Sequence, residues 1–239
     1  DSRFEHHHIV AGSGHGKTQT LQYLIGKDLE AVERGERTII VLDSQGMLVP
    51  TLARLPDFAP GGRLDDRVVY IDPTDIDFPL ALNLFARNRS RPDTPMGKRT
   101  EHANLLDLLL FLFSAMKQET TGRQETLLRA VATLILEIPD ATLATINRIF
   151  DPRKNSLAAF DQHLAKIDED TREFFRTDFE SGQLADTRAQ IRARLQSLTT
   201  DPLFNSMFSA PTQKLDFAVE MNAGKVILIN AYEDLLKSQ

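Results

Sequence analysis

Four short apolar runs, each bounded by polar or turn-forming residues, stand out along the chain. They are His8-Ile9-Val10, Thr38-Ile39-Ile40-Val41-Leu42-Asp43, Arg67-Val68-Val69-Tyr70-Ile71-Asp72 and Lys225-Val226-Ile227-Leu228-Ile229-Asn230. Apolar character without alternation predicts strands buried on both faces, as in a parallel sheet covered by helices. Between the first two runs, Leu21, Leu24, Ile25, Leu29 and Val32 recur at helical spacing and Gly35 closes the helix. The resulting β-loop-α-β unit places the chain in the α/β class.

From about Met96 to Phe208 the pattern is helical throughout. Leu127, Leu128, Val131, Leu134, Ile135 and Ile138 repeat with helical period after a Thr121-Gly122-Arg123-Gln124 capping box and before Pro139. Leu184, Ile191, Leu195 and Leu198 mark a later helix. The expected organisation is a core of residues 1–86 and 209–239 interrupted by an all-helical subdomain over 96–208. The polar join Arg87 to Arg99, with Pro92 and Pro95, reads as the entry linker.

Composition narrows the chemistry. The 239 residues contain no cysteine, which removes disulfides, thiolate metal sites and cysteine nucleophiles. The greasiest run, Leu105 to Phe113, is broken by Asp107 and suits a buried helix, so no membrane segment is expected. The polar start, Asp1 to His8, lacks the apolar core of a secretory leader and reads as a beginning inside a domain. His6-His7-His8 is either a tag remnant or a metal cluster, and consecutive histidines alternate faces of a strand, which is poor ligand geometry. A net charge of -6 means that any nucleic-acid contact must come from a local basic patch.

The strongest motif follows the first run. Ala11-Gly12-Ser13-Gly14-His15-Gly16-Lys17-Thr18 has the phosphate-loop pattern, with alanine where glycine is commoner, between a predicted strand and a predicted helix. Glycines let the backbone wrap so that successive N–H groups converge on phosphate oxygens, assisted by the helix N-terminus. Lys17 is suited to the β- and γ-phosphates of ATP, the Thr18 hydroxyl to Mg²⁺, and His15 to contributing its backbone N–H.

Taken in order, these segments resemble the HerA/FtsK superfamily of ring-forming, DNA-pumping ATPases, which includes the coupling proteins of conjugation and type IV secretion. The resemblance starts at His8 to Thr18 and continues in Val41-Leu42-Asp43-Ser44-Gln45-Gly46-Met47-Leu48 and Val69-Tyr70-Ile71-Asp72-Pro73. It extends through Ala81-Leu82-Asn83-Leu84-Phe85 and Gly224-Lys225-Val226-Ile227-Leu228-Ile229-Asn230. It implies a P-loop NTPase (RecA-like) parallel sheet flanked by helices, with an inserted helical subdomain. It further implies ATP and Mg²⁺ as cofactors, a homo-oligomeric ring (a hexamer), DNA as partner, and a cytoplasmic place, at the inner face of a membrane where a segment outside this chain anchors it. The family's hydrolytic acid lies on a strand beyond the Ile227–Asn230 run, so a core truncated before that acid is expected to bind nucleotide and barely hydrolyse it. Asp43 ends an apolar run and is a formal candidate for the Mg²⁺ acid, although the resemblance puts it at a strand edge away from the metal. Glu233-Asp234 reads as the acidic start of a helix.

Several weaker constellations have two readings each. Arg87, Arg89, Arg91, Lys98 and Arg99 form the most basic stretch, either a DNA-backbone or neighbour-subunit contact or a solvated linker. Arg188, Arg192 and Arg194 share one predicted helix, either reaching a neighbour's γ-phosphate or lying salt-bridged on its surface. Phe174, Phe175 and Phe179 read as core, and His102 and His163 receive no role. The functional alternatives to a motor core are a nucleotide-gated switch that translocates nothing and a small-molecule phosphotransferase. The long helical insert speaks against the phosphotransferase.

Overall fold

Gly16 adopts the left-handed backbone, φ 78°, and the chain turns there into α1 (Lys17–Glu33). The computed structural model describes residues 6–73, 75, 78, 80–86, 94–115, 120–153 and 156–232. Arg87, Arg89, Arg91, Glu233 and Asp234 lie outside them. Two compact units result: Asp1–Leu80 with Leu215–Gln239, and Ala81–Lys214. Residues 81–86 and 209–214, assigned to the sheet-bearing part by sequence pattern, fall in the second unit. There Leu82 N–H donates to Met207 O at 2.8 Å, and Lys214 N–H to Ala81 O at 3.0 Å.

The first unit is an α/β arrangement around three strands, β1 (Ile39–Asp43), β2 (Val68–Ile71) and β3 (Val226–Asn230). All pairing is parallel and the order is β1-β3-β2, with Ile39 and Val68 both level with Val226. One face carries Val41, Val226 and Leu228 onto Leu29 and Val32 of α1 and onto Leu48, Val49 and Leu52 of α2 (Leu48–Leu52). The expectation of strands buried on both faces holds for the central β3 and fails at the edge. Ile40, Leu42 and Tyr70 are exposed, Leu42 by 68%. An edge strand in a sheet this small has fewer neighbours to cover it. Burial along α1 is likewise confined to its second half, and Leu21 is exposed.

The second unit is helical: α3 (Pro95–Ala115), α4 (Gly122–Ile135), α5 (Leu143–Ile149), α6 (Asp161–Leu164), α7 (Glu169–Phe174), α8 (Ala185–Thr200) and α9 (Pro202–Phe208). In the first unit α10 (Phe217–Asn222) precedes β3. Pro95 starts α3 rather than belonging to a linker, in keeping with proline's preset φ at a helix start, so Lys98 and Arg99 are helical. The Thr121 capping box is present: Gln124 N–H donates to Thr121 Oγ1 at 3.3 Å and Thr121 N–H to Gln124 Oε1 at 3.1 Å. Leu109, Phe113, Leu127, Val131, Ile146 and Ile191 are fully buried together. A single π-helical turn, Phe175–Phe179, brings two of its rings to 4.9 Å within the same core.

Candidate phosphate-binding site

Residues 6–12 have no regular structure, so the strand expected at His8-Ile9-Val10 does not form; Val10 is 79% exposed. A three-residue run makes too few ladder hydrogen bonds to offset its ordering. The loop that follows is nonetheless closed on itself. Lys17 Nζ reaches back to donate to Ala11 O at 2.6 Å and Gly12 O at 3.2 Å. An ammonium has three donors, so two are held by the loop's own carbonyls and one is left for an anion. Gly14 and Gly16 both take left-handed φ, 77° and 78°, which side-chain-bearing residues rarely adopt.

Helix α1 begins with no side-chain cap and no acidic residue in its first turn. The N–H groups of its first turn lack intrahelical acceptors and carry the positive end of the helix dipole, which favours an anion there. A helix start flanked by a lysine-bridged glycine loop can therefore take a phosphate group.

Beside the loop is a cleft of about 220 Å³ lined by Lys17, Thr18, Asp43 and Ser44, with Leu42 and Met47 as apolar wall. It lies at the carboxyl end of β1, the end at which parallel sheets hold ligands. The structure thus brings Lys17, Thr18 and Asp43 to one cleft, where the resemblance implies that Asp43 stands apart. The carboxylate of Asp43 is nonetheless fully engaged. Oδ1 accepts from Gln45 N–H at 3.0 Å, and Oδ2 from Leu48 and Val49 N–H at 2.7 and 3.0 Å. Burial pushes the Asp43 carboxyl up, but backbone N–H groups of Val49, Gln45, Leu48 and Gly46 together outweigh it, and the net shift is below the ordinary carboxylate range. Asp43 therefore anchors the turn from β1 into α2. Thr18 lines the same cleft beside Lys17. Among the described residues no group of three or more histidine, cysteine, aspartate or glutamate side chains is assembled for a metal.

The other strand ends are tied to each other. Asn230 Nδ2 donates to Asp72 Oδ2 at 3.0 Å, and the Tyr70 hydroxyl donates to the same oxygen at 3.1 Å. Burial, followed by the Asp72 carboxylate, raises the Tyr70 phenol. Asn230 orients an acid and is not one.

The arginines of α8 are engaged within the helical unit. Arg192 Nη2 reaches Asp151 Oδ2 at 3.4 Å, while Arg188 and Arg194 lie 5.4 and 5.7 Å from the rings of Phe179 and Phe113. Hydrogen bonds from the Arg153 side chain and backbone hold the Asp151 carboxyl down to about 2. His102 Nε2 lies 3.0 Å from Thr133 Oγ1, and His163 Nδ1 lies 2.8 Å from Glu137 O.

Sequence reasoning missed the anchoring role of Asp43. Its signal is present: an aspartate followed by Ser44-Gln45-Gly46 and then the apolar start of a helix is an Asx-type turn. Compared with models of protein families, with curated proteins and with solved structures, the chain matches none. No helix among the described residues is long and apolar enough to cross a membrane.

Proposed function

We propose that the Ala11–Thr18 loop binds the phosphate chain of ATP, in a P-loop NTPase core of the HerA/FtsK kind that works in a ring on DNA. The observation that carries the reading is the loop itself: Lys17 bridging to Ala11 and Gly12 at the uncapped start of a 17-residue helix. Mg²⁺ would be held by Thr18 together with phosphate oxygens and water, since this ion keeps much of its hydration shell. The cleft volume suits a phosphate chain with its waters and falls below the ~300–1,000 Å³ of pockets that enclose whole drug-sized ligands, so the base is expected to lie in the open.

Calorimetric titration with ATP, ADP and AMP, each with and without Mg²⁺, tests this directly. ATP and ADP should bind and AMP should not; equal affinity for all three removes the phosphate-chain reading. The switch reading gains support from Asp43, whose oxygens are already committed to backbone donors. This chain should accordingly release phosphate from ATP at a trace rate that DNA does not raise. Steady turnover abolished by Asp43→Asn would instead make that residue the Mg²⁺ acid.

The DNA contact rests on Arg87, Arg89 and Arg91. Neutralising all three in the assembled ring should flatten the salt dependence of DNA binding, since each phosphate contact contributes about 0.9 to the slope for duplex DNA. An unchanged slope in filter binding returns the segment to a solvated linker.

A further inference from the structure

We propose that the His15 imidazole is a clip that holds the phosphate loop in its ligand-ready shape, with the bare face of Gly12 as its seat. The functional consequence rests on the nucleotide-site reading; the clip itself rests on loop geometry alone.

His15 Nδ1 lies 2.9 Å from Ser13 O, and His15 N–H donates to Gly12 O at 3.3 Å. A carbonyl oxygen only accepts, so in this contact Nδ1 carries a proton and donates it to Ser13 O. A Cβ placed on Gly12 would meet Nδ1 at 2.8 Å and Cε1 at 3.1 Å, closer than side chains pack. Gly12, unlike Gly14 and Gly16, does not have a left-handed φ. The three glycines therefore serve two purposes. Gly14 and Gly16 serve the left-handed backbone, and Gly12 leaves room for the ring that lies against it.

Lys17 holds the carbonyls of Ala11 and Gly12, and His15 holds that of Ser13. Three consecutive carbonyls on the entering limb are thus fixed by two side chains from the limb that leads into α1. In a planar trans peptide the C=O of one residue and the N–H of the next point in opposite directions. Holding Ser13 O therefore fixes the direction of the Gly14 N–H, one of the donors a phosphate would meet. His15 is a positioning residue in this scheme and touches no reacting atom.

The test compares wild type with His15→Ala, His15→Asn, Gly12→Ala and the double variant Gly12→Ala/His15→Ala. Asparagine places an amide N–H close to where Nδ1 donates. Loss of the clip should weaken ATP affinity about three- to fivefold, the equivalent of one weak hydrogen bond, and His15→Asn should recover most of it. Gly12→Ala should weaken binding more than His15→Ala, because its methyl displaces the ring into the loop. In the double variant that extra penalty should vanish, leaving the affinity of His15→Ala alone. Additive losses would overturn the clip. Two further readouts need no nucleotide. The His15 ring nitrogens should report the Nδ1-protonated tautomer, and amide exchange at Gly14 should rise in His15→Ala and return towards wild type in His15→Asn. An Nε2-protonated ring, or Gly14 exchange indifferent to His15, sinks the proposal. If the wild-type chain binds no nucleotide, the phosphate-site reading falls and these two measurements decide the clip by themselves.

Discussion

Lys17→Ala is expected to lower the affinity for ATP and ADP by about a hundredfold, towards the limit of calorimetric detection. The side chain has two roles that fail together. On the proposed reading its ammonium supplies the loop's lysine charge for phosphate, and a hydrogen bond to a charged group contributes up to ~3 kcal/mol. It also ties the start of α1 to Ala11 O and Gly12 O, so its removal releases the entering limb of the loop. Lys17→Arg should not rescue binding, because a planar fork does not fit where a compact ammonium spans two carbonyls. Lys17 is outside the core cluster, and the melting temperature should change little. Unchanged nucleotide affinity in the alanine variant would remove the assignment of the loop.

Asp43→Ala should be the most destabilising polar substitution in the sheet-bearing unit, costing about 3 kcal/mol in urea denaturation at neutral pH. Three backbone N–H groups lose their acceptor, and an unsatisfied buried donor costs ~1–3 kcal/mol. The loss should appear as early exchange of the Leu48 and Val49 amides. Because the folded carboxyl is held below its unfolded value of ~3.9, its stabilisation is fully present above that value and disappears as pH falls through the folded pKa. Wild type should therefore lose stability in acid more steeply than Asp43→Asn, which has no charge to neutralise and keeps one acceptor. Equal stability of wild type and the alanine variant at pH 7 would mean that the turn into α2 holds without its anchor.

Much of this architecture was legible because local signals and tertiary packing agree. The runs at Ile39–Asp43, Val68–Ile71 and Val226–Asn230 are apolar for the same reason that they pair, and Thr121 with Gln124 announces α4 by its own hydrogen bonds. Three features were not legible. Strand order is one, since nothing in three similar runs tells that the last enters between the first two. The exposure of Ile40 and Leu42 is another, because an apolar run looks the same whether one face or both are covered. The third is the fate of His8-Ile9-Val10, which reads as a strand by composition and has no partner strand in the sheet. At the site, the motif located the loop and singled out its lysine. It was silent on which carbonyls Lys17 would hold, and on the ring packed against Gly12, because both depend on loop closure rather than on residue spacing.

The central position of β3 has a consequence for the order in which this chain takes shape. β1 and β2 bond to β3 and not to each other, and the whole Ala81–Lys214 unit is synthesised before Val226 appears. While the chain is growing, the two early strands wait without their hydrogen-bonding partner, and the helical unit, whose contacts are local, is free to fold ahead of them. Sheet assembly is then a late, long-range closure, the slowest kind of step because the loop entropy must be met before any pairing rewards it. A nascent chain arrested before Val226 would show a protease-resistant helical unit attached to a digestible N-terminal segment, and resistance would reach the phosphate loop only after the last strand had emerged.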